Sequence, residues 1–312
     1  MENTSKLSNA PLLSKLIKEI CLKEGFIKAG IARAEKLEEQ SLLLKQWIDE
    51  GRNADMNWIV KGFDKRRDAS LIMEDVKSVI SLAYLYDTPF NHSVVPRIPK
   101  ISRYAWGEKD YHKVLKKKLK KVCAEIDSLS PEIKTRAYVD DGPVMDKAWA
   151  VRSGIGWMGK HSNVINSEFG SFFFISEILI NIELKPDEPA EELCGSCSIC
   201  MQACPTGAIY EEYRVDANLC ISYYTIENRG EIPDYIDLND WIFGCDICQD
   251  VCPYNKKKYF TEDTAFFPKM KFLNKPREDL LKLTEEEFNA EYTGTPVKRT
   301  KYTGWRRNLL KA

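Results

Sequence analysis

Eight of the ten cysteines fall between Cys194 and Cys252, in two runs whose spacing leaves few ways for the chain to fold. The first run reads Cys194-x-x-Cys197-x-x-Cys200-x-x-x-Cys204-Pro205. The second reads Cys245-x-x-Cys248-x-x-x-Cys252-Pro253, with Cys220 standing upstream. Thiolates separated by two residues in a tight loop reach adjacent irons of one cubane, and the cysteine before proline crosses to the other cluster. That rule leaves no thiol over. Cys194, Cys197, Cys200 and Cys252 are expected to hold one 4Fe–4S cluster, and Cys204, Cys220, Cys245 and Cys248 the other. Zinc prefers two separated Cys pairs in a tetrahedral site, a different pattern. Disulfides do not suit a cubane spacing in a chain without a signal peptide. Cys21 and Cys123 lie on amphipathic stretches and read as small buried hydrophobes. A chain built this way moves electrons one at a time.

At 312 residues it can hold two domains, or one large domain with a small appendage. No apolar run approaches the roughly 20 residues of a membrane span. The polar segment 1–11 lacks a signal core. A thiol-rich chain of this kind, bearing clusters and no export signal, is expected to be cytoplasmic and to need no membrane. The formal net charge of −1 gives no global nucleic-acid signature. Its distribution is uneven: residues 295–312 carry Lys298, Arg299, Lys301, Arg306, Arg307 and Lys311 with no acid, and 113–121 is a second basic run. Local patches of this kind can bind phosphate. The tail, with Tyr302 and Trp305 interleaved, either grips phosphates and stacks on bases or packs along the first domain.

Apolar residues at Leu12, Leu13, Leu16, Ile17 and Ile20 predict a helix over 11–24, closed by Gly25. A further helix is predicted over 42–48, and the β-branched run 76–86 predicts a buried strand. The stretch 110–129 predicts a helix with Val114, Leu115, Leu119, Val122 and Ile126 inward, its lysines read most simply as a solvated face. A strand over 134–139 and a helix over 144–153 follow. Two more strands, 162–166 and 171–182, are expected to form a hairpin. This mixture implies an α/β or α+β domain. The acidic, proline-bearing stretch 185–192 reads as a linker. A last helix over 280–291 precedes the basic tail, and the three resulting segments are 1–185, 186–260 and 261–312.

Gly154-Ile155-Gly156-Trp157-Met158-Gly159 matches G-x-G-x-x-G letter for letter, but the dinucleotide fingerprint needs a strand before it and a helix after it. Here a helical pattern precedes and a strand pattern follows. A phosphate loop needs Ser or Thr after its lysine, and His161 follows Lys160. These glycines are instead expected to make a tight turn where backbone approaches a large ligand. Asp110-x-His112 is reminiscent of an Asp-x-His-x-x-Gly cobalt-ligating loop, but Leu115 replaces the glycine. His112 is therefore read as a hydrogen-bonding or substrate-contact residue. Asp140 and Asp141 end a strand before Gly142-Pro143. A buried carboxyl there can act as general acid, although spacing alone favours a turn-capping role.

Taken together, Arg103-Tyr104-Ala105-Trp106-Gly107-Glu108-Lys109-Asp110-Tyr111-His112, Val139-Asp140-Asp141-Gly142-Pro143-Val144, the glycine run through Lys160, Glu168-Phe169-Gly170-Ser171, Gly244-Cys245-Asp246-Ile247-Cys248-Gln249 and both cysteine runs resemble the epoxyqueuosine reductases. The resemblance runs from about residue 65 to the C-terminus. It implies an α+β chain: an N-terminal α/β cobalamin-binding domain, related to that of reductive dehalogenases, packed on a ferredoxin-like two-cluster domain. It implies reduction of epoxyqueuosine to queuosine at the wobble position of tRNA anticodons, with cobalamin fed by two 4Fe–4S clusters and Asp140 as proton donor. The implied cobalamin shell is Asp140 with Arg66, Arg103, Tyr104, Lys160, His161, Ser162, Asn163, Val164, Gly170, Ser171, Phe172, Ser222 and Tyr223. The implied partners are tRNA carrying epoxyqueuosine and an external low-potential electron donor, with the chain itself monomeric. Some family members carry a further C-terminal helical-repeat module, for which 312 residues leave no room. Two other functions use overlapping parts: a reductive dehalogenase-like enzyme acting on an organohalide, and a ferredoxin-type electron carrier, which would not need the roughly 185 residues ahead of the clusters.

Overall fold

The computed structural model describes residues 9–256, 259–269 and 273–312. Most of the polar start of the chain, and two of the three lysines at 256–258, lie outside the described residues. In chain order the strands are β1 (Lys28–Arg33), β2 (Ser78–Leu85), β3 (Lys100–Ile101), β4 (Thr135–Tyr138), β5 (Trp157–Met158), β6 (Val164–Ile165), β7 (Phe173–Ile180) and β8 (Trp241–Phe243). The helices of the first half are α1 (Ala10–Lys23), α2 (Glu38–Asp49), α3 (Asn57–Lys61), α4 (Phe63–Arg67), α5 (Tyr111–Asp127) and α6 (Asp146–Arg152). Those of the second half are α7 (Ile199–Ala203), α8 (Ile247–Asp250), α9 (Arg277–Leu281), α10 (Glu285–Tyr292) and α11 (Lys301–Lys311).

The run expected to be a buried strand becomes β2, buried at every position. It lies inside a four-stranded sheet of order β1-β2-β7-β4, with every pairing antiparallel. Alternation sorts its side chains. Ile80, Leu82 and Tyr84 meet α1 and α5 through Ile17, Ile20, Leu115, Leu119 and Val122. Val79 faces the other way, onto Val144, Ala148 and Trp149 at α6. Helix α1 starts where the Asn9 side chain accepts the Leu12 N–H at 3.3 Å, and it stops before Gly25 at φ 94°. Asp110 caps α5 in the same way, accepting the His112 N–H at 2.9 Å. Cys21 is fully buried, and burial pushes its thiol up to about 12, which fits an inert core residue.

Several expectations are corrected. Strands β6 and β7 do not form a hairpin: β6 pairs with β5, β7 pairs with β2 and β4, and a single bridge joins Asn166 to Gly170. The presumed linker is tied down. Asp187 accepts from Ile31 N at 2.8 Å and from Lys18 Nζ at 2.5 Å, and Lys185 N donates to Ser14 Oγ at 2.8 Å. The last helix is two helices, α9 and α10, because Thr284 starts a new one with a capping box closed by Glu287. Two glycines of the run pack closely against the chain's own backbone. A Cβ at Gly154 would fall 2.4 Å from Glu188 O, and one at Gly156 would fall 2.1 Å from Ile165 O. Strand β1 and the short helices α3 and α4, which carry little periodicity, went unpredicted.

Strand β8 pairs in parallel with β3, joining the cysteine-bearing region to the first segment. One core contains Ile101 and Trp106 from 1–185, Ile242 and Phe243 from 186–260, and Leu280, Phe288, Tyr292, Trp305 and Leu309 from 261–312. The basic tail packs against the cysteine-bearing region. Trp305 is fully buried, so it has no face to offer a base. Arg307 donates to the carbonyls of Tyr224, Asn228 and Gly230 at 2.7, 3.1 and 2.6 Å. Among the described residues no helix is long and apolar enough to cross a membrane.

Candidate active site

The loop after β4 carries Asp140. Its φ of 56° is left-handed, a conformation aspartate tolerates better than most residues. The bend needs glycine two residues on, since a Cβ at Gly142 would lie 2.2 Å from the Tyr138 ring. Helix α5 holds the loop from one side. The Tyr111 hydroxyl donates to Asp140 Oδ2, and Lys116 Nζ pairs with Asp141. The Tyr111 ring is itself clamped, 4.0 Å from the His112 ring and 4.3 Å from that of Phe174. Burial first, and then the charge on Asp140, push the Tyr111 hydroxyl far above its ordinary range, so it remains a donor. Asp140 is exposed, not buried as a general acid at a strand end was pictured. His112 Nδ1 lies 2.7 Å from Asp110 Oδ1, the hydrogen-bonding role expected of it.

The thiols fall into two neighbourhoods. Burial first, and then Cys194, Cys197 and Cys252, push the Cys200 thiol up. Burial first, and then chiefly Cys220, Asp246 and Cys204, do the same for Cys248, while Cys245 feels Cys248 and Cys220. The Cys220 thiol is raised by burial and drawn down by the N–H groups of Tyr223 and Ser222. Cys194, Cys197, Cys200 and Cys252 thus neighbour one another, as do Cys204, Cys220, Cys245 and Cys248, although among the described residues no three thiols stand close enough together to hold a metal ion. Trp157 Nε1 adds a donor to Cys194 Sγ at 3.4 Å.

Several expected shell residues are already committed to protein partners. Arg103 is buried, pairs with Asp250 at 2.5 Å, Asp246 at 3.2 Å and Asp87 at 3.6 Å, and lies over the Phe172 ring. It staples the second cysteine run to the first segment. Lys160, also buried, is held by Gly195 O at 2.6 Å and Glu212 at 2.7 Å beside Cys194. Val164 and Phe172 are core residues. Gly170 and Ser171 press on Asn255, with Ser171 N 2.7 Å from its Oδ1. Tyr223 donates to Asp55 at 3.0 Å, and Ser222 is half-buried beside it. The Tyr104 ring stands edge-on to Tyr111, 5.9 Å away. Ser162 donates to Tyr213 O at 2.8 Å, and Asn163 accepts from Lys147 Nζ at 2.9 Å.

Other polar atoms are left without partners. His161 Nε2 and Arg66 Nε are buried and unbonded, although Arg66 Nη1 holds Val144 O at 2.8 Å. Burial first, and then Lys147, push His161 down to about 4, so its ring is neutral at pH 7. Such atoms suit a bound group rich in amides and phosphate. Two residues were missed by sequence reasoning. Lys147 feels the charges of Asp140, Cys248 and Cys220 together, so it stands between the Asp140 loop and the second group of thiols. Arg299 is bidentate on Glu227 at 2.5 and 2.8 Å and stands in the field of Tyr104 and Asp140. Lys147 follows directly on the Asp140 motif. Arg299 carried only the signal of a basic tail.

Residues 193–255 match the family described as "4Fe-4S double cluster binding domain". Residues 66–141 match "Epoxyqueuosine reductase QueG, DUF1730". The epoxyqueuosine reductase of Cellulophaga algicola is 42% identical over 95% of this chain and 96% of its own length. The chain belongs to the epoxyqueuosine reductase family. The Synechocystis epoxyqueuosine reductase is 44% identical, over 89% of this chain and 98% of its own. A solved epoxyqueuosine reductase holding an epoxyqueuosine-modified tRNA stem loop superposes with a TM-score of 0.88 at 30% identity, over 97% of this chain and 81% of that one. The Bacillus subtilis epoxyqueuosine reductase, solved with its catalytic aspartate loop swung out of the active site, superposes at 0.87 and 29% identity, over 97% and 82%. Membership in this family sets aside both the organohalide and the electron-carrier alternatives.

Proposed function

We propose that this chain reduces epoxyqueuosine to queuosine in tRNA anticodons, with cobalamin and two 4Fe–4S clusters as its cofactors. Family membership and the tRNA-bound relative support the substrate. The observation that carries the reading is the Asp140 loop, held by the Tyr111 hydroxyl, with Lys147 in the field of both Asp140 and the thiols Cys220 and Cys248. Converting an epoxide to an alkene breaks two C–O bonds, consumes two electrons and two protons, and releases water. Cobalamin, when bound, would supply a cobalt centre able to take up electrons singly for the substrate.

The chain's residues do the rest. Asp140 gives its proton to the epoxide oxygen as the ring opens, since an unprotonated alkoxide is a poor leaving group. The Tyr111 hydroxyl fixes the carboxyl that does this, and Lys116 ties down the next residue. His161, Arg66, Ser162, Asn163, Ser222 and Tyr104 border the cofactor. Arg103 and Lys160 act one step back by fixing the cysteine loops. Segment 186–260 carries the clusters, with Cys194, Cys197, Cys200 and Cys252 on one and Cys204, Cys220, Cys245 and Cys248 on the other. Electrons enter from an external low-potential donor, and the enzyme works in the cytoplasm. Replacing Asp140→Asn should lower turnover by about a hundred-fold or more while leaving the visible bands of bound cobalamin and the RNA affinity in place. Full turnover in that variant would remove Asp140 from the chemistry.

A further inference from the structure

Asp146 opens α6 six residues after Asp140, and the reaction as described makes no use of it. Its Oδ1 is sealed from solvent and has no hydrogen-bond partner. Behind it on β7, Glu177 is fully buried. One Glu177 oxygen accepts from Ser81 Oγ at 2.7 Å, and the other has no partner. A buried carboxyl without a cation beside it is a neutral acid. Burial first, and then Asp146, hold Glu177 well above the ordinary carboxylate range. Burial first, and then Asp140, push Asp146 up to about 7, against the pull of Arg66 and Lys147. The charged and titratable groups facing Asp146 are thus Asp140 from the loop after β4, Arg66 from α4, Glu177 from β7 and Lys147 from its own helix.

The stoichiometry leaves a gap that this group fits. Each turnover takes two protons, and one protonation of Asp140 supplies only the first. Once Asp140 has protonated the epoxide oxygen it is a carboxylate, and the departing hydroxyl still needs a proton to leave as water. We propose that Asp146 is the proton store that recharges Asp140 within the turnover. The proton passes from Asp146 to Asp140 and then to the leaving oxygen. The two electrons come from the clusters, and solvent reloads Asp146 between turnovers. Arg66, whose Nε has no partner, offsets the charge left on Asp146.

This role rests on the epoxide reduction proposed above. Its test uses the holoenzyme, with cobalamin bound and clusters reduced, on an epoxyqueuosine-bearing tRNA stem loop. The store is full below pH 7 and empties above it, so wild-type kcat should fall as pH rises through about 7. Asp146→Asn should lower kcat by about a hundred-fold, lose that alkaline fall, and keep both the KM for RNA and the cobalamin spectrum. Added imidazole, a small external acid, should restore part of the rate in Asp146→Asn and none in Asp140→Asn. Wild-type kcat and pH profile in Asp146→Asn, or a loss that imidazole does not relieve, would overturn the store. A wild-type enzyme that leaves the epoxide intact would overturn the reaction itself.

Discussion

Tyr111 shows how a residue one step from the chemistry can set its geometry. Its hydroxyl reaches Asp140, and its ring is fixed by stacking on both faces. Tyr111→Phe keeps the stacking and removes only the hydroxyl. A hydrogen bond to a charged group contributes about 1.5–3 kcal/mol, so kcat should fall by about ten-fold or more with the KM for RNA unchanged. An unaltered kcat across the pH range would mean the loop needs no such tether. At this scale the cysteines were legible because their spacing is itself the ligand geometry. Asp140 was legible only through its motif, since spacing alone favoured a turn residue. The structure makes it a left-handed turn residue with an exposed carboxyl group, and its role as acid belongs to the proposal. Asp146, Lys147 and Arg299 gain meaning only from what folds beside them, which no local pattern encodes.

Helix α11 illustrates why elements were easier to locate than to interpret. Basic residues with aromatics between them suited either nucleic-acid contact or packing along the first domain. The helix instead buries Trp305, Asn308 and Leu309 against β8 and the Tyr223–Glu227 turn that follows Cys220. The Asn308 side chain donates to the carbonyls of Thr225 and Ile242, each at 2.9 Å. Trp305→Ala should therefore cost about 3–5 kcal/mol, seen as a lower thermal midpoint and weaker retention of iron. A double Arg306/Arg307 alanine variant would mix RNA binding with loss of the three carbonyl contacts of Arg307, so the exposed Arg306 is the cleaner probe. An unchanged midpoint in Trp305→Ala would contradict the structural role of the tail. The long amphipathic helices α1 and α5 and the apolar strand β2 were legible because periodicity marks the face they bury. Strand β6 is two residues long, and its partner is set by tertiary packing, so the hairpin expectation failed.

Across the whole molecule, the two functional halves are not beads on a linker. Strand β3 pairs with β8, Arg103 reaches Asp246 and Asp250 beside the second cysteine run, and the tail closes a core drawn from all three segments. Docking of this kind holds the Asp140 loop and the second cysteine run at a fixed separation, which a flexible tether would not do. The most direct measurement is nucleoside analysis of an epoxyqueuosine-bearing tRNA stem loop after anaerobic incubation with the protein, cobalamin and a low-potential reductant. The prediction is conversion of epoxyqueuosine to queuosine by a preparation carrying about eight irons per chain. Such a preparation, with cobalamin bound, that leaves epoxyqueuosine unchanged would contradict the account.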